Sequence, residues 1–164
     1  MDQTDPFLTV AEVALGFVGF VAIFVVLRDR SGGLSDLDLF GVRLIVEISL
    51  ATLLFAFLPF LLGFFGLDPQ TVWASCSGVY VVFTPLHMRS HRMHGLRVAA
   101  QESPLGIWAA PLIALLAVLA NVGNVVGFPF DREVGPYFAA VVVNLLIVGF
   151  VFVGLILELS LIHI

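Results

Sequence analysis

Three histidines, His87, His91 and His94, recur at spacings of four and three residues, so on an α-helix they share one face. Imidazoles one turn apart can hold a transition metal such as zinc, copper or nickel, and they can also sense protons near neutral pH. A His- and Arg-containing segment beside a membrane can equally anchor a helix end against anionic lipid. The pattern leaves these three interpretations open.

The same helical face continues toward the N-terminus. Cys76, Tyr80 and Thr84 precede His87 at spacings of four, four and three residues, and the whole set lies within an arc of roughly 80°. The face is specific as a geometric pattern, but no acidic residue follows to orient the imidazole rings. The sequence therefore predicts a shared face without fixing its chemistry.

Two glutamates lie inside apolar segments. A charge in the hydrocarbon region costs at least about 2.5 kcal/mol, so such a residue is either paired or functional. Glu47 follows Arg43 by four residues, which allows an ion pair within one helix, and Glu12 lies near the start of the first apolar segment. We expect Glu47, Glu12 and Arg43 to interact with ions or protons, with a buried structural Arg43–Glu47 ion pair as the alternative.

Three asparagines also interrupt apolar sequence. Asn121 and Asn124 lie on one face with Ala110, Ala114 and Ala117, and Asn144 lies near small residues in the last apolar segment. Small and polar residues gather where membrane helices touch. Asn121, Asn124 and Asn144 are therefore predicted either to form packing seams or to line a polar path.

Patterns typical of catalysis are missing: the sequence contains no P-loop, Gly-x-Gly-x-x-Gly, His-Glu-x-x-His or nucleophile elbow. We therefore do not expect an enzyme, and the composition excludes a nucleic-acid-binding module. No cofactor is required, although the histidine face could take a transition metal.

The elements that position these residues follow from composition. Of the 164 residues, 60% are hydrophobic and only 12% are charged, against roughly a quarter in soluble domains. Apolar segments of about 17–25 residues can cross a bilayer as helices. The sequence predicts an all-α integral membrane protein, with residues 1–164 as a single domain and five transmembrane helices at about 7–27, 39–62, 71–86, 105–128 and 137–157.

Helix starts and stops are marked in the sequence. Asp5-Pro6, Asp68-Pro69 and Ser103-Pro104 place a capping side chain before a proline, and Ser35 with Asp38 has the spacing of a capping box. The glycine pair at 32 and 33 and the glycines at 66, 95 and 127 are predicted to end the first four helices.

Arginine placement predicts the orientation. With five crossings, six of the seven arginines lie on one side and only Arg132 lies on the other. The positive-inside rule then puts the N-terminus outside and the C-terminus in the cytoplasm. The bias toward Arg, Ala, Gly and Val is typical of a GC-rich bacterial genome, so we expect a multi-pass protein of the bacterial cytoplasmic (inner) membrane.

The first two predicted helices resemble segments of a known group of membrane proteins. The segment Val10 to Phe20, together with Arg43, Glu47, Ser49, Leu50 and the run Phe57-Leu58-Pro59, resembles a group of short polytopic bacterial membrane proteins. The resemblance implies an inner-membrane helical fold and brings no activity or site with it.

Two functions are consistent with these features. The first is a small homo-oligomeric channel or transporter for ions, protons or a small solute, gated from the cytoplasmic histidine helix. The second is a non-transporting membrane scaffold, or a metal or pH sensor, that acts through the same helix. The partners expected are the lipid bilayer and further copies of the chain.

Overall fold

The computed structural model describes the backbone of residues 4–30, 33–99 and 104–162, and the side chains of residues 6–29, 33–90 and 111–157. Over these ranges the chain forms five α-helices and no β-strand, as predicted. The helices are α1 (Thr4–Arg30), α2 (Asp36–Phe64), α3 (Pro69–Ala99), α4 (Pro104–Val126) and α5 (Val134–Ile162).

Three helices are long and apolar enough to cross a membrane. They are formed by Pro6–Asp29 in α1, Asp36–Phe64 in α2 and Val134–Leu157 in α5. The described apolar part of α4 is shorter, Pro111–Val126, and α3 is not among the candidates. Length and composition therefore support a membrane protein with at least these three candidate spans in the described part of the chain.

Two helix boundaries differ from the prediction. α1 begins at Thr4, so Asp5 lies within the helix instead of preceding it. A proline at position 6 is still tolerated, because the first N–H groups of a helix have no intrahelical acceptor. α3 continues past Gly95 to Ala99, since a single helical glycine costs only about 1 kcal/mol and does not oblige the helix to end.

The predicted capping box at the start of α2 is confirmed. The backbone N–H of Asp38 donates to Ser35 Oγ over 3.1 Å, and the N–H of Ser35 donates to Asp38 Oδ2 over 2.9 Å. The reciprocal bonds satisfy two N–H groups that a helix start leaves open. Arg28, near the end of α1, donates from Nε to the same Asp38 oxygen over 3.0 Å. The Asp38 side chain thus joins the end of α1 to the start of α2.

The start of α3 is capped by Asp68. The N–H of Thr71 donates to Asp68 Oδ1 over 3.0 Å, and Pro69 occupies the first helical position. Hydrogen bonds from the hydroxyl and backbone N–H of Thr71 hold the pKa of the Asp68 carboxyl below its ordinary value of 3.8. At the other end of this loop Gly66 has φ +73°, a conformation that L side chains rarely adopt.

The chain forms two compact units. Unit 1 comprises Met1–Leu54 and Asn144–Ile164, and unit 2 comprises Phe55–Val143. The core of unit 1 contains residues from α1, α2 and α5, and the rings of Phe17 and Phe152 meet edge to face at 5.5 Å. A Cβ added at Gly41 would lie 2.9 Å from Leu155 Cδ2, so α2 and α5 pack closely there.

The Asp38 contacts predict a localised loss of stability. Replacing Asp38 by Ala removes the cap and leaves the Arg28 guanidinium without this carboxylate, which should lower the free energy of unfolding by about 3 kcal/mol. Unfolding in a detergent titration measures the change. Asp36→Ala is the matched control, because Asp36 lies exposed in the same helical turn, and it should change stability by less than about 0.5 kcal/mol. Equal losses in the two variants would contradict the role given to Asp38.

The Asp68 cap predicts a pH dependence. Because its pKa is lowered by folding, the ionised carboxylate stabilises the folded state above the unfolded pKa, and this contribution disappears as the pH falls through the lower folded value. Asp68→Asn keeps a capping oxygen but does not titrate. The stability advantage of the wild type over this variant should therefore shrink between pH 5 and pH 2, as thermal unfolding can measure. Parallel pH curves for the two proteins would contradict this assignment.

Candidate functional site

The predicted face of α3 is largely buried in unit 2. Cys76, Tyr80 and Thr84 are buried, and His87 is half-buried one turn further on. We call these four residues the α3 polar face. A run of thiol, phenol, hydroxyl and imidazole groups therefore follows the buried side of α3.

A hydrogen bond from Tyr137 of α5, which we call the brace, satisfies a carbonyl of α2 that a proline leaves without its helical donor. Pro59 lies inside α2 and has no N–H, so it leaves the carbonyl of Phe55, four residues earlier, without its helical donor. The Tyr137 hydroxyl donates to that carbonyl over 2.8 Å, and both groups are buried. In an apolar surrounding an unsatisfied carbonyl is costly, so the bond explains how the proline is accommodated.

Hydrogen bonds connect members of the α3 polar face to each other and to Tyr137. The side chain of Cys76 bonds to that of Tyr137, and the side chain of Tyr80 bonds to that of Thr84. The Phe55 ring lies beside both tyrosines, with centroid distances of 5.3 Å to Tyr80 and 6.5 Å to Tyr137. The polar groups are thus arranged as hydrogen-bonded pairs around an aromatic core.

At its far end the polar face reaches an aromatic stack. The His87 imidazole lies on the Phe83 ring at a centroid distance of 5.6 Å, with only 12° between the two planes. Pro85 directly follows Thr84, between Phe83 and His87, and removes the helical donor for the carbonyl of Val81. The polar face therefore ends at an irregular point of α3.

Asn124 connects three segments of unit 2. Its Nδ2 donates to Ser77 Oγ on α3 and to the carbonyl of Glu133, each over 2.9 Å. Its Oδ1 accepts from the N–H of Glu133, also over 2.9 Å. The buried amide thus bonds both backbone groups of the residue that precedes α5, and it fixes the turn between α4 and α5.

The turn packs tightly against α4 at Gly123. A Cβ at this position would lie 2.9 Å from the carbonyl oxygen of Phe128, closer than real Cβ atoms come. Gly127, with φ +83°, ends α4 as predicted, and its N–H donates to the carbonyl of Gly123 over 2.9 Å. The turn can therefore adopt this conformation only because residue 123, directly before Asn124, is a glycine.

The other two asparagines are also buried. Asn121 Nδ2 donates to the carbonyls of Ala117 and Pro136, over 2.9 Å and 3.2 Å, and so joins α4 to the first turn of α5. Within the described structure its Oδ1 accepts no hydrogen bond. Asn144 lies buried in the α5 part of unit 1.

The predicted Arg43–Glu47 pair is formed, but at the surface of unit 1. Arg43 Nε lies 2.6 Å from Glu47 Oε1, and the two side chains are 67% and 32% exposed. Glu12 is also exposed, on α1. None of these three side chains belongs to unit 2, so the α3 polar face and the charged residues are separate candidates.

The histidine face is only partly described. His91 and His94 belong to α3, but their side chains lie outside the described residues, as does any metal site they would form with His87. Among the side chains that are described, no group of three His, Cys, Asp or Glu residues could hold a metal ion.

Sequence reasoning did not identify the bond of Tyr137 to the carbonyl that Pro59 leaves open, or the bond of Asn124 to Ser77. The signal for Pro59 was local, because a proline inside an apolar helix always frees a carbonyl. The donor that satisfies the carbonyl lies 82 residues away along the chain, and no local pattern indicates it. Comparison of the chain with protein-family models, curated proteins and solved structures finds no match.

The brace predicts an energetic coupling between Tyr137 and Pro59. Tyr137→Phe should lower the free energy of unfolding by about 1–3 kcal/mol, because the buried Phe55 carbonyl loses its donor. In a Pro59→Ala background residue 59 regains an N–H that can satisfy the carbonyl, so the same substitution should cost much less. A double-mutant cycle of unfolding measures the coupling. Additive effects of the two substitutions would contradict the brace.

Proposed function

We propose that this protein is a small membrane channel or transporter for protons or other ions, controlled at the cytoplasmic end of α3. The observation that carries the proposal is the α3 polar face: buried Cys76, Tyr80 and Thr84 in line with His87. Polar residues inside membrane proteins are costly and commonly mark ion or proton pathways.

The thiol and hydroxyl groups of the α3 polar face are better suited to proton transfer than the amide groups of the asparagines are. A hydroxyl or thiol both donates and accepts a hydrogen bond, so a proton can be passed to one neighbour while another arrives from the other side. Tyr80 and Thr84 already form such a pair, and Cys76 forms another with Tyr137. Asn121 and Asn124 instead use their amide groups to hold helix ends, so in our proposal they position the pathway.

His87 is the proposed control point. A histidine changes charge between pH 5 and pH 8 more readily than any other side chain, and here it follows Thr84 by one turn. Its stacking on Phe83 gives the imidazole a defined position. Protonation of His87, together with His91 and His94, would couple the cytoplasmic pH to the state of the polar face.

Assembly of several copies is the second part of the proposal. Glu12 and the Arg43–Glu47 pair lie on the surface of unit 1, on two of the three long apolar helices. Exposure of charged groups to lipid is costly, and contact between copies would replace that lipid by protein or enclosed water. A homo-oligomer would thus bring Glu12, Glu47 and Arg43 to a position where they can meet ions.

We further propose five crossings, with the N-terminus outside and His87 near the cytoplasmic side of a bacterial inner membrane. The support is the unequal distribution of arginines and the three long apolar helices. In this arrangement α3 and α4 complete the set of crossings, and polar residues of α3 are shielded from lipid by contacts such as Ser77–Asn124.

The proposal predicts a loss of proton flux in Tyr80→Phe. The variant keeps the ring beside Phe55 but removes the hydroxyl bonded to Thr84, so flux into liposomes with an internal pH dye should fall at least about tenfold, as expected when a proton-transfer group is lost. Thr52→Val is the matched control, because Thr52 is a buried hydroxyl that bonds its own helix at Ile48. It should leave the flux unchanged.

Three further variants separate the parts of the proposal. Cys76→Ser keeps a hydrogen-bonding group and should retain flux, whereas His87→Gln should remove its dependence on internal pH between 5 and 8. Glu47→Gln, assayed with sodium or potassium gradients, tests the ion-interacting role of the assembled charges. Flux no higher than in protein-free liposomes, from folded and oligomeric wild-type protein, would contradict the transport function altogether.

A further inference from the structure

Phenylalanine rings lie largely exposed in two turns of unit 2. Phe64 and Phe65, where α2 ends, are 94% and 75% exposed, and Phe128, after α4, is 77% exposed. Phe130 in the same turn is also exposed. We call these four residues the Phe tip.

The two turns lie at the same end of unit 2. α3 and α4 pack side by side, and the Ser77–Asn124 bond joins the N-terminal part of α3 to the C-terminal part of α4. The rings of Trp73 and Tyr137, near the starts of α3 and α5, have centroids 6.4 Å apart. The turns that precede α3 and α5 are therefore neighbours, and His87 lies toward the opposite end of α3.

The turn that carries Phe128 is held in one conformation. Asn124 bonds both backbone groups of Glu133, and the Phe128 carbonyl packs against Gly123. The N–H of Glu133 also donates to the carbonyl of Phe130 over 3.1 Å. Because the backbone is fixed from both sides, the Phe128 ring is held outward.

The exposed rings continue an apolar surface. Phe57, Leu61 and Phe64 are exposed at spacings of four and three residues, so they lie on one face of α2. This helix is one of the three candidate spans, and Phe64 is its last residue. A surface that would face acyl chains along the span thus runs directly into the Phe tip.

Charged residues stand among these rings. Asp68, Asp131, Arg132 and Glu133 are all exposed in the same two turns. Aromatic rings interspersed with charges suit the boundary between acyl chains and headgroups, where one part of a surface is apolar and the other is wet.

We infer that the Phe tip is a lipid-binding surface that inserts its rings into the headgroup–acyl boundary of the bilayer and sets the depth of unit 2 in the membrane. The turns then do not project into water. The inference concerns a different surface from the α3 polar face, so it stands or falls independently of proton flux.

Site-directed spin labelling in nanodiscs tests the depth. Single cysteines are introduced as Phe65→Cys and Phe128→Cys, with Glu133→Cys as the matched control in the same turn as Phe128. The native Cys76 is buried, and unsubstituted protein measures any background labelling. Gel filtration and circular dichroism establish that each labelled variant is folded. Collisions with oxygen report the lipid phase, and collisions with a nickel chelate report water.

The labels at positions 65 and 128 are expected to lie about 5–10 Å below the headgroup level, with high oxygen and low nickel accessibility. The label at position 133 is expected to show the reverse. Nickel accessibility at 65 or 128 equal to that at 133 would overturn the inference. Shielding of either position from both reagents would overturn it as well, because it would mean that protein covers the Phe tip.

Discussion

The structure depends on one constraint, that every backbone polar group surrounded by apolar side chains must find a partner. Pro59 violates this constraint within α2, and the Tyr137 hydroxyl restores it from another helix at the Phe55 carbonyl. The brace explains why a phenol is placed in the middle of an apolar unit. It also places Tyr137 beside Cys76, so a requirement of the backbone brings polar side chains together.

Helix ends also leave backbone N–H groups that need acceptors. Ser35 and Asp38 accept from each other's backbone N–H groups at the start of α2, and Asp68 accepts from the N–H of Thr71 at the start of α3. At the start of α5 the partner is a side chain from α4, Asn124. The caps of α2 and α3 come from residues within three positions of the helix start, whereas the cap of α5 forms only when α4 and α5 are folded together. Buried Asn124 thus has a structural role that also concerns the α3 polar face, because it bonds Ser77 on the same helix.

These differences set what the sequence could predict. The five helices and the caps at Ser35 and Asp68 follow from hydropathy and from contacts within three residues, and both were predicted. The Arg43–Glu47 pair was one of two alternatives that the sequence allowed for Glu47, because one helical turn separates the two residues. The bonds of Tyr137 to Phe55 and of Asn124 to Ser77 were not predicted, since they join residues 82 and 47 positions apart. The end of α3 was placed too early because a glycine lowers helix stability without abolishing it.

The turn between α4 and α5 has a consequence for how the chain can vary. Surface loops ordinarily accept insertions and deletions more readily than the helices they join. Here Asn124 bonds the backbone of Glu133 at the far end of the turn, and Gly123 leaves room for the carbonyl oxygen of Phe128. A change in loop length would separate both contacts at once. The length of this turn is therefore fixed by the fold. We expect related sequences to keep this length together with Gly123 and Asn124.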